Sequence, residues 1–140
     1  MKLIQMANNT ANVVLTGVRI NLGVVDRRIE CKCDTFDNTD TTITINQAGY
    51  YEVNVTANVV PSVAGLVSVQ LYDGLTPIAT AIATDTAVGG DTYNLSFSKI
   101  IRVLPNCCGV PNNIPKTLSV INAGVTTSIS TINTSVKKVG

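Results

Sequence analysis

The sequence predicts a single all-β domain, a sandwich or jelly roll of about eight to ten strands. Three observations predict it. Val, Ile and Thr dominate, and β-branched side chains suit a pleated, half-buried surface. No segment sustains a helical apolar period, while turn residues recur at short intervals. Residues 48–60, AGYYEVNVTANVV, alternate cleanly. Tyr51, Val53, Val55, Ala57 and Val59 share one parity, and Tyr50, Glu52, Asn54, Thr56 and Asn58 the other, the mark of a strand with one apolar face. The length of 140 residues suits one domain over 1–140, with 1–12 a candidate N-terminal arm or attachment segment.

Taken in order, Val13–Leu15 and Asn21–Val25 read as an irregular opening pair around Gly17 and Gly23. A short segment follows near Arg28–Cys33. TTITIN, 41–46, alternates with Ile43 and Ile45 inward. The strand after Gly49 ends at Pro61, and LVSVQLY, 66–72, puts Val67, Val69 and Leu71 on one face. Asp73-Gly74 is a strong turn signal, and Pro77 assigns the thin strand IATAIAT, 78–84, to an edge or a strand start. TYNLSFSKIIRVL, 92–104, is long, and its apolar parity shifts near Lys99, which predicts a bulge. A loop with three prolines, PNCCGVPNNIP, leads to KTLSVIN, 116–122. Ala123-Gly124 turns the chain into a closing strand over 125–139.

Composition excludes several function classes. Only 14% of residues are charged, against about 25% in average domains, so the surface relies on Thr, Ser and Asn. Net charge is +1 and no basic run exceeds Arg27-Arg28 or Lys137-Lys138, so the footprint of a nucleic-acid binder is missing. No apolar run reaches the roughly 18 residues of a membrane span. MKLIQMANNT, with one lysine and a very short apolar stretch, does not read as a signal peptide, which points to synthesis in a cytoplasm. With no histidine, this chain alone builds no Ser-His-Asp triad, Cys-His dyad or His-bearing metal site. The expectation is a non-enzymatic protein without a cofactor.

ITINQAGYYEVNVTANV followed by VSVQLYDGLTPI resembles the core of the tumour-necrosis-factor/complement-type jelly roll. There a glycine turn precedes a G-x-Y-x-[VF] central strand, and a later strand ends in a G-x-x-I turn. The opening MKLIQMANNT and a late cysteine pair resemble short stand-alone proteins of phages and prophages of Firmicutes. The chain lacks the collagen-like Gly-X-Y tract of the spore-surface members. The resemblance implies a homotrimeric jelly-roll β sandwich, with the sheet holding the central and last strands packed around a threefold axis. It further implies a binding or structural role: a capsid decoration or head-fibre-like protein at the virion surface. Its partners would be other copies of itself, the major capsid protein or another virion protein, and a host-surface glycan. A bacterial spore- or cell-surface adhesion module is the alternative.

Individual residues carry narrower expectations. Cys31 and Cys33 form C-x-C, and Cys107 and Cys108 are adjacent. These spacings are poor for zinc, whose sites use C-x(2–4)-C. Free thiols, the norm in a reducing compartment, and a candidate disulfide from the first pair to the second both stand. Such a bridge would close a loop of about 75 residues, worth up to roughly 4 to 5 kcal/mol in the chain-entropy view. Asp34, Asp37 and Asp40 read as a solvated turn and not as a calcium loop, whose ligands alternate around a glycine. The three-proline loop is stiff enough either to present a binding surface or to serve as a crossover.

The adjacent tyrosines pose the sharpest question, because neighbours in a strand point to opposite faces. Tyr51 is assigned to the core. Tyr50 shares parity with Glu52, Asn54 and Thr56, and these four form the candidate trimer interface that the resemblance implies.

Overall fold

The computed structural model describes residues 1–30, 35–105 and 114–140. Cys31, Cys33, Cys107, Cys108 and Asp34, with the expectations attached to them, lie outside the described residues, as does most of the three-proline loop. Among the described residues the chain forms eleven strands: β1 (Leu3–Asn8), β2 (Asn12–Val14), β3 (Val24–Ile29), β4 (Phe36–Asn38), β5 (Ile43–Ile45), β6 (Gly49–Pro61), β7 (Gly65–Asp73), β8 (Thr76–Ala87), β9 (Tyr93–Val103), β10 (Lys116–Asn122) and β11 (Thr127–Lys138). No helix of the described residues is long and apolar enough to cross a membrane.

Two antiparallel sheets face each other. One is six-stranded, in the order β3-β1-β11-β6-β9, with β2 also paired to β11; the other is five-stranded, β4-β5-β10-β7-β8. This is the jelly-roll sandwich that the alternation predicts. Tyr51, Val53, Val55, Ala57 and Val59 of β6 are buried, with Ile132 and Val136 of β11 beside them. Val67, Val69 and Leu71 of β7, with Ile43, Ile45, Leu118 and Val120, supply the facing layer. Phe36 meets Tyr51 edge-to-face at 6.0 Å between centroids, the arrangement that aligns ring edge and ring face favourably. The Tyr51 hydroxyl donates to Gln47 O at 2.7 Å, so the ring is buried without stranding its polar end.

Several expectations need correction. The strand count is above eight to ten because the sequence reading passed over β1 and β4 and divided β3. Residues 1–12 do not stand off as an arm. β1 pairs with β11 on one side and β3 on the other, and Ile4 and Met6 sit in the core. LIQMAN is short, but its alternate apolar pair fills the inner face of the sheet. The supposed opening pair does not form either. β2 pairs with β11, β3 with β1, and the connection between them runs along β10 through Gly17 N to Asn122 O (2.7 Å) and Ile20 N to Val120 O (2.8 Å), burying Ile20 and Leu22.

The bulge expected near Lys99 is also absent. β9 pairs with β6 in unbroken register from Tyr93↔Val59 to Val103↔Gly49. Leu95, Ile101 and Val103 keep core parity, and Ile100 faces outward, 56% exposed. Lys99 has core parity but lies half-buried on an edge strand, where a lysine can lay its stem along the sheet and keep its ammonium in water. The apolar run Ile100-Ile101 marks two faces in use. Register shifts fall instead between Gln5 and Met6, between Ile129 and Thr131, and between Gln70 and Tyr72.

The side of the sandwich where β3 meets β4 is bridged by polar contacts. Arg28 of β3 donates to Asn38 Oδ1 of β4 at 2.6 Å, and the Glu30 carboxylate accepts from the amides of Thr35 (3.0 Å) and Phe36 (3.1 Å). At one end of the sandwich, buried Asn122 donates to Val14 O (2.9 Å) and Val125 O (3.0 Å) and accepts from Gly124 N (3.0 Å). One side chain thus ties β2 to the β10–β11 turn. Gly124 must be glycine here, since a Cβ would lie 2.3 Å from Leu66 O.

Two outcomes follow for stability. Asn122→Ala removes three hydrogen bonds to backbone groups, two of them buried, and should cost about 3 kcal/mol in urea denaturation. Burial pushes the Tyr51 phenol from 10.0 up to about 12. A phenol held neutral in the fold supports it fully below the unfolded value of 10.0, and that support is lost as pH rises towards about 12. Tyr51→Phe, which gives up one hydrogen bond, should be about 1 kcal/mol less stable at neutral pH. The gap to the parent chain should narrow in denaturation curves taken above pH 10.

Candidate trimer-forming face

The outer face of the six-stranded sheet is built from the residues that alternate away from the core. β6 lies between β11 and β9, so each of its outward residues has a cross-strand neighbour on both sides. Glu52 stands between Lys137 and Ile100. Asn54 stands between Ser135 and Ser98, and Thr56 between Asn133 and Ser96. The four residues singled out from the sequence, Tyr50, Glu52, Asn54 and Thr56, therefore lie in one file down the middle of this face.

Tyr50 is 48% exposed. Its register partner is Arg102, whose guanidinium carbon lies 5.9 Å from the ring centroid, within cation–π range. The chain end packs on the ring as well: Tyr50 N donates to Gly140 O at 3.0 Å, and Val139 N to Tyr50 O at 2.8 Å. Ile100 sits one step along β9 on the same face. Tyr50, Ile100, Arg102 and the 139–140 segment make one apolar and aromatic corner on an otherwise polar surface. Among the described residues Tyr50 and Ile100 stay about half exposed at this corner.

Below the corner the face is a hydrogen-bonded polar field. Asn54 Nδ2 donates to Glu52 Oε1 at 2.9 Å. Asn58 donates to Thr131 Oγ1 at 2.9 Å and accepts from Asn94 Nδ2 at 2.9 Å, linking β11, β6 and β9 side chain to side chain. Between them lies a hollow of about 170 Å³ rimmed by Gln5, Asp26, Asn54, Thr56, Asn133 and Ser135. Asp26 reaches it because the register of β1 and β3 shifts there, leaving Asp26 as the extra residue.

Sequence reasoning missed Ile100, Arg102, Thr131, Asn133, Gln5 and Asp26. The parity of β9 carried the first two, once the supposed bulge is removed. The others come from strands remote in sequence and needed the sheet order. Of the acids read as a turn, Asp37 accepts from Asn46 Nδ2 at 2.8 Å. Among the described residues no group of three or more His, Cys, Asp or Glu gathers as metal ligands would.

No protein-family model and no curated protein matches this sequence significantly. Solved structures define the class: the chain has the jelly-roll fold shared by tumour necrosis factor and complement C1q globular domains. The Eiger TNF of S. frugiperda has a TM-score of 0.68 at 10% identity, covering 100% of this chain and 94% of that one. The globular domain of zebrafish complement 1qA has a TM-score of 0.62 at 7% identity, covering 96% and 95%. Vertex protein P5 of PRD1 has a TM-score of 0.61 at 13% identity, covering 99% and 97%. Identities this low show the fold, which extends over nearly the whole chain.

The face and the core make opposite demands on the adjacent tyrosines. Tyr51→Ala should cost about 3 to 5 kcal/mol in thermal or urea unfolding, as for other large aromatic truncations. Tyr50→Ala should leave monomer folding within about 0.5 kcal/mol, the usual range for a surface change, yet reduce self-association measured by sedimentation equilibrium. Equal destabilisation by both, with association untouched, would show the faces to be assigned wrongly.

Proposed function

We propose that this chain is a homotrimeric structural module that associates with a virion of a phage or prophage, as a capsid decoration or head-fibre-like protein. It acts by binding, stabilising the shell or contacting host surfaces, and not by catalysis. The observation that carries the reading is the exposed corner of Tyr50, Ile100 and Arg102 above a polar field in which side chains are already paired. An exposed aromatic, an exposed isoleucine and an arginine are the residue types that concentrate at protein interfaces. The pre-paired amides below need little reordering on contact. In the resembling superfamily the sheet with the central and last strands faces the threefold axis, and that sheet is the one carrying this corner.

The likeness to PRD1 vertex protein P5 over almost the full length supports the virion setting. The lack of histidine supports a non-catalytic role. The partners of this reading are two further copies of the chain and a major capsid or other virion protein, with a host-surface glycan as a target. The equal likeness to a complement globular domain favours, as second reading, a trimeric adhesion module on a bacterial spore or cell surface.

Two measurements test it. Light scattering at micromolar concentration should give three times the 14.7 kDa chain mass, and Ile100→Asp should lower it towards that of one chain. In density gradients of particles from the producing strain, the protein should band with intact heads. Recovery only in cell-envelope fractions would favour the second reading, and a single-chain mass would overturn the trimer.

A further inference from the structure

A second hollow lies where the β1–β2 connection, the approach to β3 and the β4–β5 turn come together. It is a cleft of about 480 Å³ lined by Asn8, Thr10, Asn12, Asn21 and Asp40, with Ala11 and Val24 as its apolar wall. That volume falls in the range of small-molecule sites. Its lining is unlike theirs: such sites are mostly apolar, and this one is mostly amide, hydroxyl and carboxylate. It shares no residue with the Tyr50 corner or with the hollow beside Asn54.

The walls of the cleft are tied to one another. Asn8 Nδ2 donates to Asn21 O at 3.1 Å, and Gly23 N to Asn21 Oδ1 at 2.8 Å. Thr10 N donates to Asn8 Oδ1 at 2.9 Å, which folds the β1–β2 connection into a turn. Leu22 N donates to Asp40 O at 2.6 Å, and the Thr39 and Thr42 hydroxyls, 2.7 Å apart, close the turn that carries Asp40. Gly23 lets the approach to β3 press on β1, since a Cβ there would lie 2.1 Å from Ala7 O. The cleft therefore has its shape before anything enters it, and little ordering is needed on binding.

Its free groups narrow the occupant. Among the described residues the Asn21 Nδ2, the Thr10 hydroxyl, the Asn12 amide and the Asp40 carboxylate make no hydrogen bond. No Lys or Arg lines the cleft, so a phosphate, sulfate or carboxylate ligand would find no counter-charge. Asp40 is the one acid in the lining, too little charge for a tight calcium site. A peptide would ask for apolar pockets, and the lining offers only Ala11 and Val24. What matches is a ligand rich in hydroxyls. Side-chain amides both donate and accept, and a carboxylate can accept two hydroxyls at once. We propose that this cleft binds a neutral saccharide, with Asp40 and Asn12 holding its hydroxyls and Val24 lying against its C–H face. The site builds on the proposed contact with a host-surface glycan, but it needs neither the trimer nor the virion. In a trimer, three such clefts would add avidity to a weak single contact.

Saturation-transfer-difference NMR on the full chain tests it, with glucose, galactose, rhamnose and N-acetylglucosamine as separate probes and N-acetylneuraminic acid as the anionic comparison. At least one neutral sugar should receive transfer, with a dissociation constant on the order of 1 mM, as expected of so small a ligand. Asp40→Asn should weaken that binding roughly tenfold and Asn12→Ala roughly fivefold. Both side chains are exposed and unbonded within the fold, so circular dichroism should not change. Asp91→Asn, an exposed acid outside the cleft, should bind as the parent does.

Transfer to none of the four neutral sugars overturns the proposal, as does transfer that Asp40→Asn and Asn12→Ala leave unchanged. So does calcium chloride, if without sugar it shifts the amides of 8–12 and 21–24 at micromolar concentration, since the occupant would then be a cation. Failure here and failure of the virion role are separable. A protein that bands with heads yet binds no sugar loses this site alone. One that binds sugar through Asp40 and is missing from heads keeps the site and loses the virion role.

Discussion

Everything in this molecule is referred to β6. It is the longest strand, it lies between β9 and β11, and it is hydrogen-bonded along nearly its whole length on both sides. Its strict alternation sets two conditions at once. Tyr51 to Val59 on one parity must meet the second sheet, and Tyr50 to Asn58 on the other must not. A one-residue slip would exchange these sets and place Glu52 and Asn54 in the core, at a cost no nearby packing could offset. The register of β6 therefore fixes that of β9 and β11, and through β11 that of β1 and β2.

The candidate surface inherits this constraint. Arg102 comes under Tyr50, and Ile100 and Lys137 flank Glu52, because the ladders on either side of β6 leave them no other place. The aromatic corner and the polar field below it are consequences of one register. The short connections at the end where β6 finishes follow the same logic from the other direction. Where β6, β8 and β10 run out together, tight turns with Gly65, Gly89 and Gly124 keep the backbones close, and Asn122 satisfies the polar groups this closeness buries.

The departures from expectation have physical reasons in particular residues. Ile100-Ile101 looked like a parity shift because an outward isoleucine is unusual on a strand whose outer face is otherwise Asn, Ser and Arg. The exposed isoleucine belongs to a surface feature, and β9 keeps an unbroken register with β6. LIQMAN lies within the segment expected to be an arm or attachment segment, yet Ile4 and Met6 complete the core under β11. β2 and β3 were assigned to each other because neighbouring segments often pair. In this fold both pair with strands from elsewhere, and the connection between them is itself drawn into the second sheet through Ile20.

The sequence by itself determined the local matters: strand-forming composition, the inward parity of β5, β6 and β7, the Asp73-Gly74 turn, and the division of labour between Tyr50 and Tyr51. Each rests on residues within a few positions of one another, where a period of two is readable. The lack of histidine chemistry was equally plain. Only the tertiary structure decided which strands are neighbours, that Leu3 pairs with Lys137, and that Asp26 reaches a hollow rimmed by Asn54 and Asn133. Those facts depend on antiparallel pairing between segments as much as 134 positions apart in the numbering of Leu3 and Lys137. No local periodicity encodes such pairing, because it is selected by the joint burial of both sheets.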